Sequence, residues 1–418
     1  MNKTTSSRQF DVVLWGATGF AGKLTAQYLA KTSTSEPLSW AIAARNEQKL
    51  QTLQKELQDE FPDATAPEII VAESFDLPSL KAMAKQTKVI CSTVGPYAKY
   101  GTPLVQACVE EQTDYCDLTG EVQWMKDVIE KFHEQASEQN VRIVHTCGFD
   151  SIPSDLGTLH LQLHAMKQHD APAKEVRLFV QSASGGLSGG TMASMINLFE
   201  EASQNKDVIR TAMHPYSLNP PEKRHGPTQL SDNRYGHDDL INSWVAPFFM
   251  ASVNTRVVRR SNALMDDIYG KDLRYSEAMI TAKGAKGALA STAITGAFMA
   301  FGTTMAIKPT RKLLQKHVLP KPGEGPSEEK IVNGHFSCLL VGEVDSDKIK
   351  VKVSANRDPG YGATAIMLAE SAICLAKDRA KTAKLDYTLD GGILTPASAM
   401  GEVLIARLNA SGVRIEVK

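Results

Sequence analysis

Three glycines spaced three apart, in Gly16-Ala17-Thr18-Gly19-Phe20-Ala21-Gly22, follow the apolar run of residues 12–15 and precede a segment with helical spacing. Between a strand and a helix, such a turn can hold the diphosphate of a dinucleotide. The first glycine permits a tight turn, the second lets backbone N–H groups approach phosphate without an intervening Cβ, and the third lets the helix lie against the strand. The phosphate charge then rests at the positive end of the helix.

Arg45 ends the next apolar run, residues 38–44. A site selective for NAD places an acidic residue about 20 positions beyond the glycines, where it accepts from the ribose 2′-hydroxyl. No acidic residue lies between Glu36 and Glu47. A guanidinium there can instead pair with a 2′-phosphate and stack on adenine, so the pattern predicts NADP(H) over NAD, with Lys49 as a second phosphate contact. The plainer alternative is a solvated arginine at a strand end.

Hydride transfer requires a proton donor as well as a nicotinamide. Tyr97, Asp117, Glu121 and Asp150 all fall where loops follow apolar runs, and the loop Val94-Gly95-Pro96-Tyr97 is expected beside the cofactor. Tyr97 ranks first because a phenol donates at neutral pH, whereas Asp or Glu needs a raised pKa. Asp117 and Asp150 could equally cap turns, and Asp76 either approaches the adenine or caps the helix that starts near Leu77. His160 and His164 sit four apart without a third ligand, so no metal is expected.

These residues must be positioned by the alternation of apolar runs and helical segments that fills residues 1–150. That alternation predicts an α/β fold with an N-terminal Rossmann-type, doubly wound parallel sheet, whose ligands sit beyond the carboxyl ends of the strands. Residues 151–357 read as a second, mixed α/β domain for substrate and dimerisation, and 358–418 as a segment packing back on the first domain. Within the second, residues 182–191 form a small-residue turn that could cradle an anion, act as a lid or simply connect, and 214–239 form a surface excursion. Residues 287–307 carry no charge yet hold few strongly apolar side chains. A buried or interfacial small-residue helix hairpin is expected there, with peripheral membrane contact as the alternative and a bilayer span disfavoured.

The GATGFAG turn, the Gly95-Pro96-Tyr97 loop, Asp117-Leu118-Thr119-Gly120-Glu121 and Gly148-Phe149-Asp150-Ser151-Ile152-Pro153-Ser154-Asp155 together resemble the saccharopine dehydrogenase-like oxidoreductases, in particular the branch of the trans-acting enoyl reductases and the eukaryotic saccharopine dehydrogenase-like protein. The resemblance runs over nearly the whole chain, through Gly391-Gly392-Ile393-Leu394-Thr395-Pro396-Ala397. It implies a nicotinamide-dependent oxidoreductase with a cofactor site at Gly16, Thr18, Gly19, Phe20, Gly22, Arg45 and the Gly95-Pro96-Tyr97 loop. The substrate it implies is either a hydrophobic or carrier-bound unsaturated lipid intermediate or, for the saccharopine enzymes proper, an amino-acid conjugate. A nucleotide-binding protein at a lipid surface without turnover is the non-enzymatic alternative.

The formal net charge of −1 gives no electrostatic reason to expect nucleic acid. Six cysteines form no CxxC pair and residues 1–10 lack an apolar signal-peptide core, so a cytoplasmic protein is expected. A homodimer is the expected assembly, in contact with membrane only at its periphery if at all.

Overall fold

The central apolar runs become strands buried along nearly their whole length, without the alternation of a half-exposed sheet, because a parallel sheet is covered by helices on both faces. These are β1 (Phe10–Trp15), β2 (Trp40–Ala44), β3 (Glu68–Val71), β4 (Thr87–Ser92), β5 (Asp114–Asp117) and β6 (Arg142–Val144). A second sheet holds β7 (Glu175–Ala183), β8 (Gly236–Asp238), β9 (Ser243–Ala246), β10 (Arg274–Ile280), β11 (Phe336–Val344) and β12 (Asp347–Ala355). Near the end of the chain, β13 (Gly392–Leu394) returns to the first sheet and β14 (Arg414–Val417) to the second. The computed structural model describes residues 8–184, 189–317 and 325–418.

The first sheet has the order β13-β6-β5-β4-β1-β2-β3, with every pair parallel. The chain winds outward from β1 through β2 to β3, then crosses to the far side of β1 and continues through β4, β5 and β6. The strand order therefore reverses between β1 and β4, the place where an open α/β sheet receives its ligand. The second sheet is mixed, in the order β14-β12-β11-β7-β10-β9-β8, with β7 and β10 parallel and the other pairs antiparallel.

The chain forms two compact units that do not follow a single cut. The first contains the chain through Thr119, then Asp127–Gly148 and Thr364–Arg407; the second contains Gly120–Lys126, Phe149–Ala363 and Leu408–Lys418. Charge pairing ties the late segment into the first unit. Arg407 reaches Glu370 at 2.6 Å, Glu36 at 2.8 Å and Asp378 at 3.0 Å, and the Tyr28 hydroxyl donates to the other Glu370 oxygen at 2.7 Å.

In the second unit, the segment 214–239 is ordered by buried arginines. Arg256, Arg259 and Arg260 share one face of the helix Ala251–Leu264, and they donate to the carbonyls of Ala212, Pro215 and Leu218 respectively. A Pro-rich excursion has few ladder partners for its carbonyls, and guanidinium forks supply them. Burial pushes Arg259 down to about 10 and Arg260 to about 9, so both remain cationic at neutral pH.

Residues 287–307 correct the expectation of a buried or interfacial helix hairpin: all but Ile307 belong to one continuous helix, Gly284–Ala306, only 17% buried over its most apolar stretch. Gly296 stands near the middle of the segment without breaking it, and the flanking Ala, Thr, Ile and Phe residues continue the helical register. A helix begins within the Gly148–Asp155 segment, at Ile152, with Pro153 in its first turn. Of the small-residue turn 182–191, residues 185–188 lie outside the described residues.

A buried carboxyl sits on β10. Glu277 accepts from the Tyr275 hydroxyl at 2.7 Å and the Asn254 amide at 2.9 Å, and also faces the Ser154 hydroxyl. Burial outweighs these donors and pushes its pKa up to about 7. The folded state thus holds this proton more tightly than the unfolded chain. The stabilisation is complete below pH 4.5 and is lost as pH rises through 7. Urea unfolding across that window should show wild type losing up to about 3 kcal/mol relative to Glu277→Gln, with no further divergence above it. Parallel curves for the two proteins would refute a buried proton at this position.

Candidate active site

The carboxyl ends of β1, β2, β4, β5 and β6 share one edge of the first sheet because all are parallel. At the end of β1, Gly16 has φ +87, and a Cβ there would lie 2.6 Å from the Val94 side chain and 2.8 Å from the Thr93 hydroxyl. Only glycine meets both the turn and the approach of the β4 loop. At Gly22 a Cβ would lie 2.2 Å from the Gly16 carbonyl oxygen, so the first helix, Phe20–Ser33, rests directly on the strand end. Gly19 differs: its Cβ would meet only the Gly16 oxygen, at 3.3 Å.

Gly19 is the N-cap of that helix, with no side-chain cap and no acidic residue in the first turn. The helix therefore presents its positive end beside Ala17, Thr18 and Phe20, a cradle of the right chemistry for a diphosphate. Neighbouring β2 ends at Ala44, and Arg45 stands beyond it, exposed and without a hydrogen bond or ion pair among the described residues. Asn46 caps the next helix by accepting from the Lys49 backbone N–H at 2.9 Å, leaving the Arg45 guanidinium uninvolved in local structure. An exposed arginine beside the glycine turn can hold a 2′-phosphate. Asp76 occupies an N-cap position yet makes no cap bond.

The loop after β4 is locked to the same turn. The Thr93 hydroxyl donates to the carbonyls of Trp15 and Gly16, both at 3.2 Å. Val94, Gly95 and Pro96 follow, and Tyr97 opens a short helical turn. The Tyr97 ring is buried; its hydroxyl donates to the Ser92 carbonyl at 3.1 Å and accepts from the Leu118 N–H at 3.2 Å, bridging the ends of β4 and β5.

Asp117 is fully buried at the end of β5. One carboxylate oxygen accepts from the Thr119 and Thr146 N–H groups at 3.0 and 3.3 Å. The other accepts from the Tyr115 hydroxyl at 3.0 Å and lies 2.8 Å from His145 Nδ1. An ionised carboxylate only accepts, so Nδ1 bears the hydrogen. Burial and the Asp117 charge drive the Tyr115 phenol well above its ordinary range, and the Ser92 hydroxyl reaches the same phenol. Thr146 takes φ +62, a strained conformation for a β-branched residue that the bond to Asp117 helps maintain.

His145 was not among the candidates read from sequence. The signal lay in strand register: β5 and β6 pair Cys116 with Val144, which sets Asp117 opposite His145. Glu121 and Asp150 belong to the second unit. Glu121 is buried and accepts from the Ser194 hydroxyl at 2.7 Å.

A doubly wound sheet with a glycine cradle at its switch point and an exposed arginine at the next strand end is the fold of a dinucleotide-binding α/β protein. Residues 12–144 match the saccharopine dehydrogenase NADP binding domain, which makes the cofactor NADP(H). Proteins named trans-acting enoyl reductase are similar from end to end: that of Mycobacterium ulcerans is 38% identical over 98% of both chains, and that of Mycobacterium bovis 36% identical over 98% of this chain and 97% of its own. A further relative from Mycobacterium tuberculosis is 40% identical over 99% of this chain and 98% of its own. Apo saccharopine dehydrogenase (L-Glu forming) from Saccharomyces cerevisiae aligns over 97% of this chain and 99% of its own, at 11% identity and TM-score 0.49. The chain belongs to the saccharopine dehydrogenase-like family that contains the trans-acting enoyl reductases, and it is an NADP-dependent oxidoreductase.

Replacing Asp117 by Ala leaves the Tyr115 hydroxyl, His145 Nδ1 and two backbone N–H groups facing a void in the core. Urea denaturation should record a loss of about 3 kcal/mol or more. A loss under about 1 kcal/mol would show that these donors find other partners.

Proposed function

We propose that this enzyme reduces the carbon–carbon double bond of a hydrophobic or carrier-bound enoyl thioester with NADPH. The observation that carries the proposal is the similarity, across 98% of both chains, to a protein named trans-acting enoyl reductase. The same similarity favours an enoyl group over the amino-acid conjugate of a saccharopine dehydrogenase, and turnover over nucleotide binding alone.

In this proposal Gly16, Ala17, Thr18, Gly19, Phe20 and Gly22 hold the diphosphate, Arg45 pairs with the 2′-phosphate, and Val94, Gly95, Pro96 and Tyr97 border the nicotinamide. When bound, NADPH supplies the hydride for the β-carbon of the substrate. The α-carbon then needs one proton, and Tyr97 is the assigned donor, supported by the Leu118 N–H that would stabilise the phenolate it leaves. Asp117 has its oxygens engaged by four donors, so it acts as a positioning residue that fixes His145 and Tyr115 at the strand ends. Asp150, on the second unit, is the remaining acid–base candidate. The proposal also takes the protein as a cytoplasmic homodimer with substrate and dimer contacts in residues 151–357; the six buried, unpaired thiols suit a reducing compartment.

Arg45→Asp should invert cofactor preference, since it removes a charge-assisted phosphate contact and adds an acceptor for a 2′-hydroxyl. Such a contact contributes roughly 1.5–3 kcal/mol, so fluorescence titration should show NADPH affinity falling about ten- to a hundredfold while NADH binding improves. Unchanged NADPH binding would remove Arg45 from the site.

The reaction itself is tested by mixing the enzyme with NADPH and short- or long-chain 2-enoyl pantetheine thioesters and following loss of reduced-nicotinamide absorbance. Saturated thioester should form, and Tyr97→Phe should lower kcat by about a hundredfold or more with the NADPH Kd nearly unchanged. Oxidation of saccharopine with NADP, without enoyl turnover, would overturn the proposal.

A further inference from the structure

The helix Gly284–Ala306 reverses the usual distribution of a helix on a water-facing protein. Its buried positions are Gly287, Ser291, Thr295 and Met305, small or polar for the most part. The Ser291 hydroxyl donates to the Val245 carbonyl of β9 at 2.5 Å, which binds that face to the second sheet. The opposite face carries Leu289 at 74% exposure and Met299 at 68%, with Ile307 at 50% just past the end, among exposed alanines and threonines. Its length and composition would allow it to cross a membrane.

The threonines do not make that outer face polar. Thr292, Thr303 and Thr304 donate their hydroxyls to the carbonyls four residues back, at 3.0, 2.9 and 2.7 Å, and so turn their methyl groups outward. Every polar group on the face is thereby satisfied within the helix, which is the condition for lying in an apolar medium. Because Ser291 and Thr295 are held against the protein, the helix cannot be surrounded by lipid, and a flat, interfacial placement is the one its contacts permit.

Charge indicates the partner. Lys283 and Lys286 flank the helix at its start, and the following helix, Lys308–His317, adds exposed Lys308, Lys312 and Lys316 beside Leu313 at 63% exposure. Arg311 is buried and donates to the Met305 carbonyl at 2.8 Å, joining the two helices. From Lys283 to His317 the sequence has no aspartate or glutamate. An apolar face bordered at both ends by lysines, with no acidic residue among them, is complementary to a bilayer surface bearing anionic headgroups.

We infer that the helices Gly284–Ala306 and Lys308–His317 form a docking surface for an anionic phospholipid membrane, inserting the Leu289 and Met299 face to interfacial depth without spanning. The inference stands apart from the enoyl substrate, since it concerns adsorption and not turnover.

The full chain should be floated with phosphatidylcholine vesicles with and without phosphatidylglycerol, at low and high salt. Expected is flotation that requires phosphatidylglycerol, falls at least tenfold at high salt, and is released by carbonate. Lys308→Glu/Lys312→Glu/Lys316→Glu and Leu289→Glu/Met299→Glu should each lower the bound fraction at least tenfold while NADPH affinity stays within twofold of wild type. The lipid and salt series on wild type decides the matter even if a variant misfolds. Absence of flotation, equal flotation on phosphatidylcholine alone, or resistance to carbonate would overturn the inference. So would a dimer, measured by light scattering, that the Leu289→Glu/Met299→Glu variant dissociates, because a second copy would then cover the face.

Discussion

The first unit depends on one close approach, that of the Gly22 backbone to the carbonyl oxygen of Gly16. It sets the first helix on the end of β1, aims the positive end of that helix past the sheet edge, and leaves room for the β4 loop to bond to the same turn through Thr93. A methyl group at Gly22 would push helix and strand apart, whereas one at Gly16 would strike Val94 and Thr93 of the β4 loop.

Burial of polar groups does a different task in each unit. In the first, Asp117 gathers four donors from β5 and the turn after β6, so the ends of two neighbouring strands are held by one carboxylate. In the second, Arg259 and Arg260 satisfy carbonyls of a segment that has little secondary structure of its own, and Arg256 bonds to Ala212 at the end of the helix before it. In both places the hydrogen bonds that a buried charge makes offset part of its desolvation. Glu277 shows the limit: its neighbours are neutral donors, and burial keeps a proton on it toward neutral pH.

Apolar surface is distributed with equal consequence. The strands of the parallel sheet bury theirs on two faces, whereas the helix Gly284–Ala306 buries glycine and hydroxyl side chains and leaves Leu289 and Met299 in solvent. Core formation alone would have selected the reverse orientation. The hydroxyl of Ser291 bonding to β9 explains how the observed orientation is held.

By itself the sequence determined the α/β class, the glycine turn and NADP as the cofactor, because each rests on local requirements: two-face burial of short apolar runs, tight turns that exclude Cβ, and the lack of an acid where one would select NAD. Only tertiary structure decided that His145 faces Asp117, since that contact follows from the register of two strands whose paired residues lie far apart in sequence. It alone decided which side of the uncharged helix faces out, because periodicity is weak where small residues and threonines fill both faces and a hydroxyl can satisfy itself on its own backbone. The order imposed on residues 214–239 likewise came from arginines on a distant helix, whose polar heads give no sign in the sequence that they will be buried against backbone carbonyls.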